Sequence, residues 1–136
     1  IAVAVAAGWA AGHRHQLGFG AGLEMLAACA ERTPSGATKT GIERARRISF
    51  GAPTELASRT LGNGSKFTAP DTVPFSLWCA ARHLDDYRQA LWTAVKGLGD
   101  CDTNCAIVGG IVALSAERQT IPEDWLACRE ALPFQD

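Results

Sequence analysis

Apolar residues recur along most of this chain at the three-to-four-residue spacing of helices, and no segment alternates for long as a strand does. The expected fold class is therefore all-α. Residues 1–15 are alanine-rich and apolar nearly all round, the pattern of a central, surrounded helix. "GAGLEMLAACAER" (20–32) predicts a second helix, with Leu23, Leu26, Ala27 and Ala30 on its apolar face, and Pro34 and Gly36 break it. Thr40 and Glu43 have capping-box spacing and open a short basic helix, "GIERARRI". "PTELASRTL" predicts another short helix ending at Gly62, after which "GNGSKFTAP" reads as a glycine loop.

Beyond that loop, Asp71 or Thr72 is expected to cap a helix with Pro74 in its first turn, running through "FSLWCAARH". "DDYRQALWTAVKGLG" follows, with its acids at the positive end of the helix, Lys96 near the negative end, and Gly97 and Gly99 as the stop. Thr103 or Asp102 is expected to cap "NCAIVGGIVALSA", an almost uncharged helix that reads as buried. Its Gly109 and Gly110 predict close approach by a neighbouring helix. Thr120 and Glu123 repeat the capping-box spacing, and "PEDWLACREAL" (122–132) predicts the last helix. With no repeat or long linker in its 136 residues, the chain is expected to form a single all-α domain.

Composition narrows the function classes. The formal net charge is −1 with 20% charged and 47% hydrophobic residues, which argues against disorder and against nucleic acid as a partner. The apolar opening is too short for the roughly 20 residues of a membrane span, so no membrane partner is expected. Five cysteines without a CxxC pair fit neither a disulfide framework nor a zinc knuckle, and the expected setting is a reducing, cytoplasmic one.

The chemistry-bearing residues concentrate in "GLGDCDTNCAIVGG" (97–110). Asp100, Asp102 and Thr103 offer hard oxygen donors of the kind Mg²⁺ and Mn²⁺ take, and a D-x-D-T turn lets alternate side chains converge. The plainer reading is a helix cap with a second acid at the positive helix end, and the two are compatible. "LGNG" (61–64) reads either as a plain turn or as a loop whose backbone N–H groups approach a phosphate or ribose. His13 and His15 fall on different faces and are expected to be solvated or core residues. Cys101 and Cys105 are expected to be small buried residues, and Trp9, Trp78, Trp92 and Trp125 to be core.

Taken in order, "LGNG", "DTVPFSLWCAARHLDDYRQAL", "GLGDCDTNCAIVGGIVAL" and "IPEDWL" resemble the C-terminal half of the ADP-ribosylglycohydrolase family, most strongly over residues 60–132. The resemblance implies an orthogonal helical bundle with a two-metal Mg²⁺ or Mn²⁺ site in a cleft for ADP-ribose. By it, Asp100, Asp102 and Thr103 match metal ligands. Gly62, Asn63 and Gly64 match the loop lying against ADP-ribose, and Phe67 a residue contacting the nucleotide. The implied reaction is metal-dependent hydrolysis of the N- or O-glycosidic bond between ADP-ribose and a protein side chain, with ADP-ribose or an ADP-ribosylated protein as partner. The metals would position the ribose hydroxyls and a water, and a carboxylate would handle the proton.

The family's N-terminal threonine and paired aspartates and its mid-chain glycine-rich segment have no counterpart here. Asp85 and Asp86 are the only adjacent aspartates, and they lie at a helix start within the matching region. Since the chain also begins at Ile1, the expectation is a bundle lacking its N-terminal part, catalytically incomplete alone, with a second chain or self-association supplying the rest. The alternative is a non-catalytic helical interaction or oligomerisation module that keeps the core and retains D-x-D-T as a cap.

Overall fold

The structure, a computed structural model, describes residues 1–134. Among them are eight α-helices, α1 (Ala2–Gly12), α2 (Ala21–Arg32), α3 (Ala37–Ala45), α4 (Thr54–Leu61), α5 (Ala69–Arg82), α6 (Tyr87–Val95), α7 (Cys101–Ser115) and α8 (Glu123–Ala127). One 3-10 turn spans Arg118–Thr120, and no strand is present among the described residues. The all-α expectation is met.

Where each helix starts follows from local chemistry that differs in places from the sequence pattern. Thr40 is no cap. Gly36 opens α3 at Ala37, and the Thr40 hydroxyl donates back to the Gly36 carbonyl at 3.1 Å. Thr68, not Asp71 or Thr72, is the N-cap of α5, so Pro70 sits in the first turn and Pro74 falls inside the helix. Thr120 does not cap α8. Its hydroxyl donates to the Glu117 carbonyl at 2.7 Å and accepts the Tyr87 N–H at 3.2 Å. Residues 127–134 are all exposed, and with no burial to offset the entropy of ordering, α8 stops well short of residue 132.

The central helix is α5, not α1. Nine of the fourteen residues of α5 are buried, and it packs against α1, α2, α3, α4, α6 and α7. Phe75 and Trp78 stack within it, and the Arg82 guanidinium lies 5.5 Å from the Trp78 ring. Gly41 of α3 abuts the Pro74 ring, where a side chain on Gly41 would collide. Helix α1 buries only Ala2, Ala6 and Ala10, one stripe of its eleven residues, and leaves Ala4, Gly8 and Ala11 exposed. Alanine and glycine are apolar enough to read as buried on every side, yet too small to cost much when exposed.

Other expectations of burial are corrected in the same way. Leu23 and Trp92 are each 47% exposed, while Ala21, Met25 and Cys29 of α2 join Leu26 and Ala30 in the core. Helix α7 is buried along Asn104, Val108, Gly109, Ile111, Val112 and Ser115 only, and exposes Ala106, Gly110 and Ala113. Gly109 meets Tyr87 of α6 closely, as its position suggested, whereas Gly110 faces open space. No helix among the described residues is long and apolar enough to cross a membrane.

Candidate functional site

The turn between α6 and α7 is built from residues that fit nowhere else. Helix α6 ends at Val95, Leu98 turns the chain with φ 58°, and Gly99 presses against the Asn63 carbonyl so closely that a β-carbon would overlap it. Asp100 follows with non-helical φ −76° and ψ 79°, and its carboxylate accepts the Thr103 N–H at 3.3 Å. Asp100 is therefore the N-cap of α7, in place of Asp102 or Thr103, which occupy the first turn and are exposed. Both acids stand where the helix dipole favours negative charge.

The glycine loop is shaped by α5. Gly62 and Gly64 take φ 96° and 87°, left-handed values that favour glycine, and a β-carbon on Gly62 would strike Asp71. Asp71 fastens the loop twice, its carbonyl accepting the Gly64 N–H at 3.0 Å and its carboxylate the Lys66 N–H at 2.8 Å. The loop and the α7 turn then join through one residue. The Asn63 carbonyl accepts the Asp100 N–H at 3.0 Å and the Asn104 amide at 2.8 Å, while the Asn63 amide donates to the Gly97 carbonyl at 3.2 Å.

Asn63 and Gly64 are thus brought against Asp100, with Asp102 and Thr103 on the adjoining helical turn, while Gly62 lies against Asp71. Phe67 stands at the outer end of the loop, 83% exposed and with φ 59°. Leu98, on the α6–α7 turn, is likewise exposed (81%) with a similar φ, and sequence reasoning did not select it. Asn104 was missed too. Fully buried, it also accepts the Ser76 hydroxyl at 3.3 Å, so the one amide ties α5, the loop and α7 together. Its signal was an amide one turn into an otherwise apolar helix.

Among the described residues no three His, Cys, Asp or Glu side chains form a metal cluster, and the donors at the α7 end are two carboxylates and a hydroxyl. Neither Asp100 nor Asp102 is paired with a cation among the described residues. Carboxylate and hydroxyl oxygens are hard donors of the kind Mg²⁺ or Mn²⁺ take. Cys105 lies one turn further along. Burial first, then Cys101 and Asp102, push its thiol above the ordinary cysteine range, so it is neutral there, and both thiols are half-buried against carbonyls of α6.

The remaining candidates lie elsewhere in roles that need no ligand. The His13 ring stacks on Trp9 at 4.0 Å, and His15 pairs with Glu117 at 3.3 Å. Asp86 caps α6 by accepting the Gln89 N–H. No curated protein and no solved structure gave a match. The family model described as ADP-ribosylglycohydrolase matches residues 1–135, nearly the whole chain and both segments that meet at Asn63, so the chain belongs to the ADP-ribosylglycohydrolase family.

Proposed function

We propose that this chain forms one wall of a metal-dependent site that hydrolyses the N- or O-glycosidic bond joining ADP-ribose to a protein side chain. The observation that carries the reading is the junction of Asn63 and Gly64 with Gly99–Asn104, which sets hard oxygen donors beside a glycine loop. Asp100, Asp102 and Thr103 would hold Mg²⁺ or Mn²⁺, and a bound cation would supply Lewis acidity that orients a water and lowers its pKa. The protein's own residues bind and orient. One oxygen of Asp100 is committed to the Thr103 N–H, which fixes the carboxylate on the helix end and leaves the other oxygen for a ligand. Gly62, Asn63 and Gly64 let backbone approach ADP-ribose, and the exposed Phe67 ring offers an apolar face to the nucleotide. The rest of the coordination shell falls to water, substrate, or groups from a second copy or another chain. Five free cysteines support a reducing compartment, for which we propose the cytoplasm.

A second reading, a non-catalytic interaction module, is favoured by the use of Asp100 as an ordinary cap and by the exposed apolar side of α1. Thermal unfolding with and without millimolar Mn²⁺ and ADP-ribose, on the parent and on Asp102→Ala, separates the two. The hydrolase reading expects a midpoint rise that needs both ligands and is lost in the variant. Asp102 is exposed and caps nothing, so its removal without ligands should cost only about 0.3–1 kcal/mol. A parent that responds to neither ligand would favour the interaction module.

A further inference from the structure

We propose that the hollow enclosed by the C-terminal ends of α3 and α4 and the 62–68 loop is a binding site for a phosphate group. Arg44 in the last turn of α3, Arg59 in the last turn of α4 and Lys66 on the loop all line one cavity of about 330 Å³. In the whole sequence acids outnumber lysines and arginines by 14 to 13, so a cavity with three cations and one carboxylate, Asp71, is a local concentration of positive charge. The side-chain contacts of acid with base among the described residues, His15 with Glu117 and Arg46 with Glu43, involve none of the three.

Asp71 does not cancel the field. Its carboxylate is engaged by the Lys66 N–H at 2.8 Å, and it leaves a surplus of two positive charges. Thr68, also on the wall, is the N-cap of fourteen-residue α5 but makes no side-chain capping bond, so the positive end of that helix adds to the field. Arg44 and Arg59 could each serve merely as a last-turn cation that complements its own helix dipole. That account leaves Lys66 unexplained, because it sits on a loop with no helix C-terminus of its own, and it does not explain why all three face one concavity. Two guanidinium forks with an ammonium are the donor set that a tetrahedral, multiply charged oxyanion takes best.

The cavity shares Gly62 and its loop with the proposed ADP-ribose site, but the inference is carried by Arg44, Arg59 and Lys66, which that reading does not use, and its test uses neither metal nor ADP-ribose. The full chain is unfolded thermally at fixed ionic strength while chloride is exchanged for inorganic phosphate. The expected result is a saturable rise in midpoint, with phosphate affinity at least about tenfold weaker in Arg59→Gln and in Lys66→Gln and unchanged in Arg88→Gln on α6. Both test side chains are exposed, and the single substitutions are chosen so that folding is kept. A second arm uses AMP. A response at clearly lower concentration than phosphate, and equally sensitive to Arg59→Gln, would assign the site to a nucleotide's phosphate, and an equal response to free phosphate. A phosphate response no greater than chloride's, or one that Arg59→Gln and Lys66→Gln leave intact, would overturn the proposal.

Discussion

Replacing Asn104 with alanine tests whether the site is registered by this one buried amide. Asn104 and Ser76 are both fully buried, and the substitution removes the 2.8 Å bond to the Asn63 carbonyl and the 3.3 Å bond from the Ser76 hydroxyl. The bond to Asn63 is worth about 1 kcal/mol net, and leaving the Ser76 hydroxyl buried and unpaired costs about 1–3 kcal/mol, so the expected loss is about 3 kcal/mol. For a chain of this length that is roughly 10 °C in midpoint. The Asn63 carbonyl keeps the Asp100 N–H, so the loop should loosen but not detach. Urea denaturation reads the loss, and amide hydrogen exchange should show faster opening at Gly64 and Asp100 than at Val108 in the buried part of α7. Asn104→Asp keeps an acceptor for Ser76, loses the donor, and buries a carboxyl near Asp100, whose negative charge and the burial both raise its pKa. A carboxyl raised in the fold binds extra protons there, so the deficit of this variant should shrink as pH falls. A loss below about 1 kcal/mol in Asn104→Ala, with unchanged exchange at Gly64 and Asp100, would refute the reasoning.

Three further outcomes are expected. Leu98→Gly should stabilise the chain by about 0.5–1 kcal/mol in denaturant unfolding, because φ 58° strains a residue whose side chain is 81% exposed and packs little; a loss would contradict this. His83 is pushed below its ordinary 6.5 by burial first and by Arg82 second, so the unfolded chain binds the proton more readily. Its contribution is therefore complete above pH 6.5 and lost as pH falls below it, and calorimetry should find this decline flattened in His83→Gln. Thiol labelling followed by mass spectrometry should modify exposed Cys128 first. Cys29, pushed up to about 11 by burial, and the fully buried Cys79, pushed higher still, should label only on unfolding.

The number and order of helices were legible because apolar spacing and the glycine and proline breaks are local signals. Which helix lies at the centre was not. Helix α5 carries Thr72, Ser76 and Arg82, and such polarity reads as a solvent face, yet Thr72 and Ser76 are buried, and the hydroxyl of Ser76 finds Asn104 twenty-eight positions away. Helix α1 carries no polar residue and still lies at the periphery, because only its stripe of Ala2, Ala6 and Ala10 is buried where α2 and α7 pack on it. Polarity reports exposure only when the hydrogen-bond partner is water, and a partner distant in sequence removes that inference.

The same limit divides the candidate site. Asp100, Asp102, Thr103 and the Gly62–Gly64 loop stood out because each cluster is contiguous, but what joins the clusters is a contact across 41 positions. Apolar burial between α5 and α7 is non-directional and would tolerate a small rotation of one helix on the other. A carbonyl that accepts two N–H groups is not so tolerant. With the Asn63 carbonyl held by both the Asp100 backbone and the Asn104 side chain, and Gly99 leaving no room for displacement, the two acids can occupy one azimuth relative to the glycine loop. An alanine or leucine at position 104 would fill the core with less desolvation, but would give up that register. A buried amide at the head of an apolar helix is therefore best understood as the cost of holding the α7 carboxylates against a loop from elsewhere in the chain.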